Sequence, residues 1–189
     1  PNGNFFLGVY IADVSHYVKV FSPLDKEAYN RGTSVYLADR VIPMLPVELS
    51  NGICSLNAGE DRLSMCAEME IDANGSVIKY DIFPTVIHVY RRLTYKLVNR
   101  ILVEKNTQMI EDNQDILPLL HNLEAVYKVL NKRRQMRGAI DFDIPEVKVK
   151  LNAKGQAVGL VKREHGLGES IIEECMLVAN ETVAEYMAK

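Results

Sequence analysis

Leu63-Ser64-Met65-Cys66-Ala67-Glu68-Met69-Glu70-Ile71, followed by Asp72-Ala73-Asn74-Gly75 and Ser76-Val77-Ile78-Lys79-Tyr80, decides the fold class. Leu63, Met65, Ala67, Met69 and Ile71 alternate at the two-residue period of a strand, so they form one apolar face. Asn74-Gly75 supplies the backbone freedom of a tight turn, and the chain returns as a strand from Ser76 to about Val89. A hairpin alone cannot bury that face, and helical patterns downstream supply the cover. A helix from Thr94 to about Lys105 offers Leu97, Val98, Ile101 and Leu102 to the core. A longer one repeats Ile116, Leu120, Leu123, Tyr127 and Leu130 at three- and four-residue spacing, with Lys132, Arg133, Arg134 and Arg137 before Gly138. Residues 147–151 and 157–162, joined by Asn152-Ala153-Lys154-Gly155, predict a second hairpin, and a last helix is expected over residues 170–188. Upstream, Phe5 to Ala12 reads as a buried strand. Ser22-Pro23-Leu24-Asp25 opens a short helix that runs to Gly32, and residues 35–56, with Pro43, Pro46 and Ser50-Asn51-Gly52, are irregular. The expected fold is α+β, mainly an antiparallel sheet with packed helices, in one domain over residues 1–189.

Both ends read as cut. Asn2-Gly3 is a hairpin turn without a strand before it, and the last helical pattern stops without the Gly or Pro that closes a helix, so the chain is expected to be truncated at both ends.

With 48% hydrophobic and 25% charged residues among 189, disorder is excluded as the main state. No apolar run approaches the ~18 residues of a membrane span, and the opening Pro1-Asn2-Gly3-Asn4 has no basic segment. A soluble, unexported, cytoplasmic chain without a membrane partner is expected. Cys54, Cys66 and Cys175 are odd in number and lack CxxC spacing, so they read as buried free thiols. The net charge of −3 hides segregation. Residues 79–105 carry six basic side chains (Lys79, Arg91, Arg92, Lys96, Arg100, Lys105) against Asp81 and Glu104, and residues 126–138 add five with no acid. The last helix is acidic, with Glu169, Glu173, Glu174, Glu181 and Glu185. Basic stretches beside Tyr90, Tyr95 and Tyr127 suit a polyanion whose bases stack on the rings; a solvated helix face explains the same pattern.

Local catalytic signatures are absent. His16, His88, His121 and His165 belong to no nucleophile or HExxH pattern, and Gly166-Leu167-Gly168 reads as the turn that opens a helix. Asp141 and Asp143 share one side of an extended chain, but one pair is short of a two-metal cage. Asp13 reads as a strand-end turn residue.

Longer motifs carry more. Ile11-Ala12-Asp13-Val14-Ser15-His16-Tyr17-Val18 and Arg31-Gly32-Thr33-Ser34-Val35-Tyr36-Leu37-Ala38-Asp39-Arg40-Val41-Ile42-Pro43-Met44-Leu45-Pro46 closely resemble the catalytic RNB domain of the ribonuclease II family, in its bacterial ribonuclease R branch. Leu49-Ser50-Asn51-Gly52-Ile53-Cys54-Ser55-Leu56-Asn57, Arg92-Leu93-Thr94-Tyr95, Arg137-Gly138-Ala139-Ile140-Asp141-Phe142 and Ile172-Glu173-Glu174-Cys175-Met176-Leu177 continue the likeness in order and spacing.

The resemblance implies processive, magnesium-dependent hydrolysis of single-stranded RNA from the 3′ end, releasing nucleoside 5′-monophosphates. Its metal ligands are aspartates immediately upstream of the strand that begins here at Phe5, so neither a catalytic residue nor a metal ligand is expected within residues 1–189, and the isolated chain is expected to be inactive. What carries over is RNA contact. Tyr36 matches the tyrosine that packs on the terminal nucleotide, and Phe142 the ring that wedges the last bases into a stack. Tyr95 and Glu174 match the pair that hydrogen-bonds ribose, with the adjacent Glu173 open as the residue meant. A non-catalytic RNA-binding or regulatory relative of the same family is the alternative.

Overall fold

A computed structural model describes residues 2–140, 147–162 and 165–189. Strand β1 (Phe5–Ala12) is followed by the short helix α1 (Val14–Tyr17) and by α2 (Pro23–Arg31). The α2 cap is the one the sequence predicts: Ser22 Oγ accepts from the Asp25 amide, and Gly32, at φ 68°, ends the helix where a side chain would be strained. The irregular segment contains two two-residue strands, β2 (Val35–Tyr36) and β3 (Val41–Ile42), and a wide helical turn at Glu48–Ile53.

The hairpin of β4 (Asp61–Ile71) and β5 (Val77–His88) forms as expected. Asp72 closes its turn, its Oδ1 accepting from the amides of Asn74 and Ser76 at 2.8 Å, and Gly75 takes φ 80°. The sheet order is β1-β4-β5, all antiparallel. Next come α3 (Tyr95–Leu102), capped by Thr94, the unanticipated α4 (Thr107–Glu111), capped by Asn106, and α5 (Leu117–Met136). The ribbon of β6 (Val147–Leu151) and β7 (Ala157–Lys162) precedes α6 (Leu167–Met187).

Helix α6 lies across the three strands and is flanked by α3 and α5. Its buried stripe, Gly168, Ile171, Glu174, Cys175, Val178, Ala179 and Thr182, meets Leu7 and Val9 of β1 and Ala67, Met69 and Ile71 of β4, closed at the sides by Val98, Ile101, Leu120, Val126 and Leu130.

Three expectations are corrected. Strand β1 is not buried along its length: Leu7 and Val9 face the core, whereas Phe6 is 79% exposed, because β1 is an edge strand with helices on one side only. The apolar face of β4 holds at Ala67, Met69 and Ile71 but fails at Met65, which is exposed, while Cys66 on the opposite face is buried. The Tyr10 ring lies on that opposite face over Gly8, where a Cβ would stand 2.8 Å from it, and donates its hydroxyl proton to Glu68. Cys54 is only half-buried; Cys66 and Cys175 are buried as expected, and all three are free. Burial, with the Glu174 charge, pushes the Cys175 thiol up to about 11, so it is protonated and unreactive at neutral pH. Among the described residues no helix is long and apolar enough to cross a membrane.

Candidate nucleic-acid interface

Tyr36 stands on a small ribbon that its neighbours build. Val35 pairs with Ile42 and Tyr36 with Val41, and the Leu37 amide donates to the Arg40 carbonyl to close the turn. The base is tied from two sides: the Met44 amide donates to Ser34 Oγ at 2.9 Å, and the Arg31 guanidinium, paired with Glu27, donates to the Pro43 carbonyl at 3.0 Å. The Tyr36 ring is left 78% exposed on a fixed support, an arrangement suited to stacking on a flat partner.

Tyr95 is the first residue of α3, half in solvent, next to the start of α6. Asn99 makes that junction. Its Oδ1 accepts from the Gly168 amide at 2.8 Å, and its Nδ2 donates to Glu169 Oε2 at 3.1 Å, which also accepts from the Gly166 amide. This is why α6 begins at Leu167, three residues before the expected start. A Cβ on Gly166 would stand 2.2 Å from Asn99 Nδ2, and one on Gly168 3.4 Å from the Tyr95 carbonyl oxygen. Gly166 therefore permits the approach, a reason different from phosphate binding, whereas a Cβ on Gly168 would make only ordinary contact. Burial raises the Glu169 carboxyl, but the Asn99 amide and the local backbone donors outweigh it and hold the group below the usual carboxylate range. The lock is present at neutral pH and is lost as pH falls through that lowered value.

Gly166→Ala forces Asn99 out of this geometry and is expected to cost about 2 kcal/mol, a melting-point drop of roughly 4–8 °C. Asn99→Ala removes the obstruction, so the double variant should melt higher than the sum of single effects requires; a double-mutant thermal cycle checks this.

Glu173 and Glu174 are separated by their helical positions. Glu174 points inward: its side chain is 5% exposed, and Oε1 accepts from Arg134 Nε at 2.7 Å and from Asn131 Nδ2 at 3.0 Å. Glu173 is 51% exposed, with His165 at 3.6 Å. The ribose contact expected of Glu174 thus meets a carboxylate already committed between α5 and α6, and the solvent-facing acid is its neighbour. Phe142, and with it the Asp141/Asp143 pair, lies outside the described residues.

The segregated charges largely find each other. Arg134 meets Glu174, Arg137 meets Glu181 at 2.6 Å, Lys128 meets Glu124, and Arg133 donates to the Gly75 carbonyl. The basic end of α5 is a clamp on the acidic α6 before it is a polyanion surface. Asp13 caps α1, accepting from Ser15 Oγ at 2.6 Å and from the His16 amide, and the serine bond foremost holds its carboxyl low. Among the described residues no group of three or more His, Cys, Asp or Glu side chains is placed to hold a metal, so the magnesium implied by the resemblance does not fit the residues described and no step is derived through it.

The described residues thus form an α+β layer that holds the exposed Tyr36 ring on a braced two-strand ribbon. The comparisons place it: residues 1–189 match the RNB domain, and the chain belongs to that family. Ribonuclease R of Thermotoga maritima is 52% identical over 98% of this chain, which spans 26% of that relative's length. Mycoplasma genitalium RNase R, solved in complex with ribose-methylated single-stranded RNA, is 32% identical at a TM-score of 0.87 over 97% of this chain and 28% of its own. Yeast Ssd1, a pseudonuclease, shares the fold at a TM-score of 0.72 and 19% identity, over 97% of this chain and 22% of its own.

Proposed function

We propose that this chain is the RNA-gripping part of a magnesium-dependent 3′-to-5′ exoribonuclease acting on single-stranded RNA. The RNB match along residues 1–189 carries the reading, and the exposed Tyr36 ring on its braced ribbon supplies the chemistry. A base stacks on Tyr36, Tyr95 offers its phenol to the ribose, and Glu173 accepts from the 2′-hydroxyl, which a deoxyribose lacks. Glu173 replaces Glu174 in this role because the Glu174 carboxylate is spent on Arg134 and Asn131. Stacking reads no sequence, as a degradative enzyme requires. Aspartates outside residues 1–189 would hold the magnesium of this reading, which would supply the hydrolytic chemistry; the residues described here would bind and orient the RNA.

Incubating the 189-residue chain with a 5′-labelled oligoribonucleotide and magnesium should leave the strand whole. A descending ladder that follows the protein through purification contradicts this. Tyr36→Ala should weaken binding of a single-stranded oligoribonucleotide about tenfold, ~1.4 kcal/mol, by fluorescence titration, and weaken the matching DNA equally. The pseudonuclease sharing this fold motivates a second reading, a non-catalytic RNA binder. An Asp-rich stretch before Pro1 in the full-length protein favours the enzyme; neutral residues there favour the binder.

A further inference from the structure

The β6–β7 ribbon differs from the basic end of α5, where Arg134 and Arg137 are paired with Glu174 and Glu181. Residues 147–162 contain four lysines, Lys148, Lys150, Lys154 and Lys162, and no acid. Register puts Lys148 opposite Val161 and Lys150 opposite Gly159, so the two lysines share one face with Val161, while Val147, Val149, Leu151 and Leu160 share the other with Lys162, the partner of Val147. Both lysines are exposed, and among the described residues none of the four ammonium groups takes part in an ion pair or hydrogen bond. Gly159 leaves open space across from Lys150, with nothing within 4 Å of where a Cβ would stand. Two residues along a strand span about 6.7 Å, so the charges form a row rather than a point.

On α5 and α6 the cations Arg134 and Arg137 are answered by Glu174 and Glu181. A row of unanswered lysines on a two-stranded ribbon, a unit of marginal stability by itself, matches a linear polyanion. We propose that the Lys148/Lys150 face of this ribbon holds the phosphate backbone of single-stranded RNA, away from the Tyr36 stacking contact. The inference rests on the reading of RNA as the ligand and extends it to a second place of contact.

The test titrates a fluorescein-labelled oligouridylate with the chain, and with its Lys148→Gln/Lys150→Gln variant, over a series of salt concentrations. Each phosphate contact on a single strand contributes about 0.7 to the slope of log affinity against log salt, so the variant's slope should be shallower by about 1.4. The matching deoxyoligonucleotide should respond in the same way, because phosphate is common to both. A Lys19→Gln/Lys26→Gln control loses the same charge elsewhere and should keep the wild-type slope. Circular dichroism establishes that each variant is folded, and Lys148→Glu/Lys150→Glu should weaken binding further. An unchanged slope and affinity in a folded variant overturns the proposal and assigns the ribbon to a protein neighbour. Loss of the Tyr36→Ala effect with the lysine effect intact overturns the stacking contact alone, and a wild-type chain that does not bind RNA overturns both.

Discussion

Glu174→Ala lowers the stability of the fold by about 2–3 kcal/mol, while Glu173→Ala leaves it within about 0.5 kcal/mol. The two acids are neighbours in sequence and opposite in work. Truncating Glu174 removes an acceptor that two part-buried donors share, one of them the Arg134 guanidinium, and it opens the seam between α5 and α6. Glu174→Gln keeps the shape and the capacity to accept, so it should lie between the two. Glu173 has no such duty; its loss is read in the ratio of RNA to DNA affinity, which should fall towards one. Chemical denaturation of the three variants, paired with oligonucleotide titration, separates the roles. Equal destabilisation by the two alanine variants would contradict the inward and outward assignment.

Met69→Ala should be the most damaging single truncation, costing about 3–4 kcal/mol, against less than about 1 kcal/mol for Met65→Ala. Both residues lie on the alternation that defines β4. Met69 is 1% exposed at the centre of the layer, and its sulfur accepts a hydrogen bond from the Thr182 hydroxyl of α6 at 3.3 Å. Met65, four residues back along the same face, is 38% exposed, because the helical cover does not reach it. A cavity left by Met69 has helix on one side and sheet on the other, with little room to collapse. Denaturant midpoints give the comparison, and similar values for the two variants would mean that the apolar face is covered further along than described.

Local chemistry was legible in the residues themselves. The Asn74-Gly75 turn, the Ser22 cap, the α5 period and the β6–β7 hairpin each depend on neighbours a few positions away, and each forms where its pattern lies. What depended on distant partners was harder. Whether β1 is central or peripheral is set by which strands flank it, and its apolar run is compatible with either. The start of α6 was misplaced because its decisive partner, Asn99, lies some 70 residues earlier. The signal available was Gly166, which marks a close approach without saying what approaches. Charge counting along the chain could not show that Arg134 and Arg137 are answered by α6, since that needs the two helices side by side. The division between Glu173 and Glu174 was present in the pattern: Glu174 falls three residues after Ile171 and four before Val178, on the buried stripe. Tyr36 gave no such hint locally, because its exposure follows from a two-residue strand pairing braced by Arg31 and Ser34.

The most direct test compares the affinity of the unmodified chain for a single-stranded RNA and for the DNA of the same sequence, at one salt concentration. A surface that stacks bases on Tyr36 and accepts from the 2′-hydroxyl at Glu173 should favour the RNA by about tenfold or more, the contribution of a hydrogen bond to a charged group. Equal affinity for the two strands would contradict the ribose-reading account, and absence of binding to either would contradict the account as a whole.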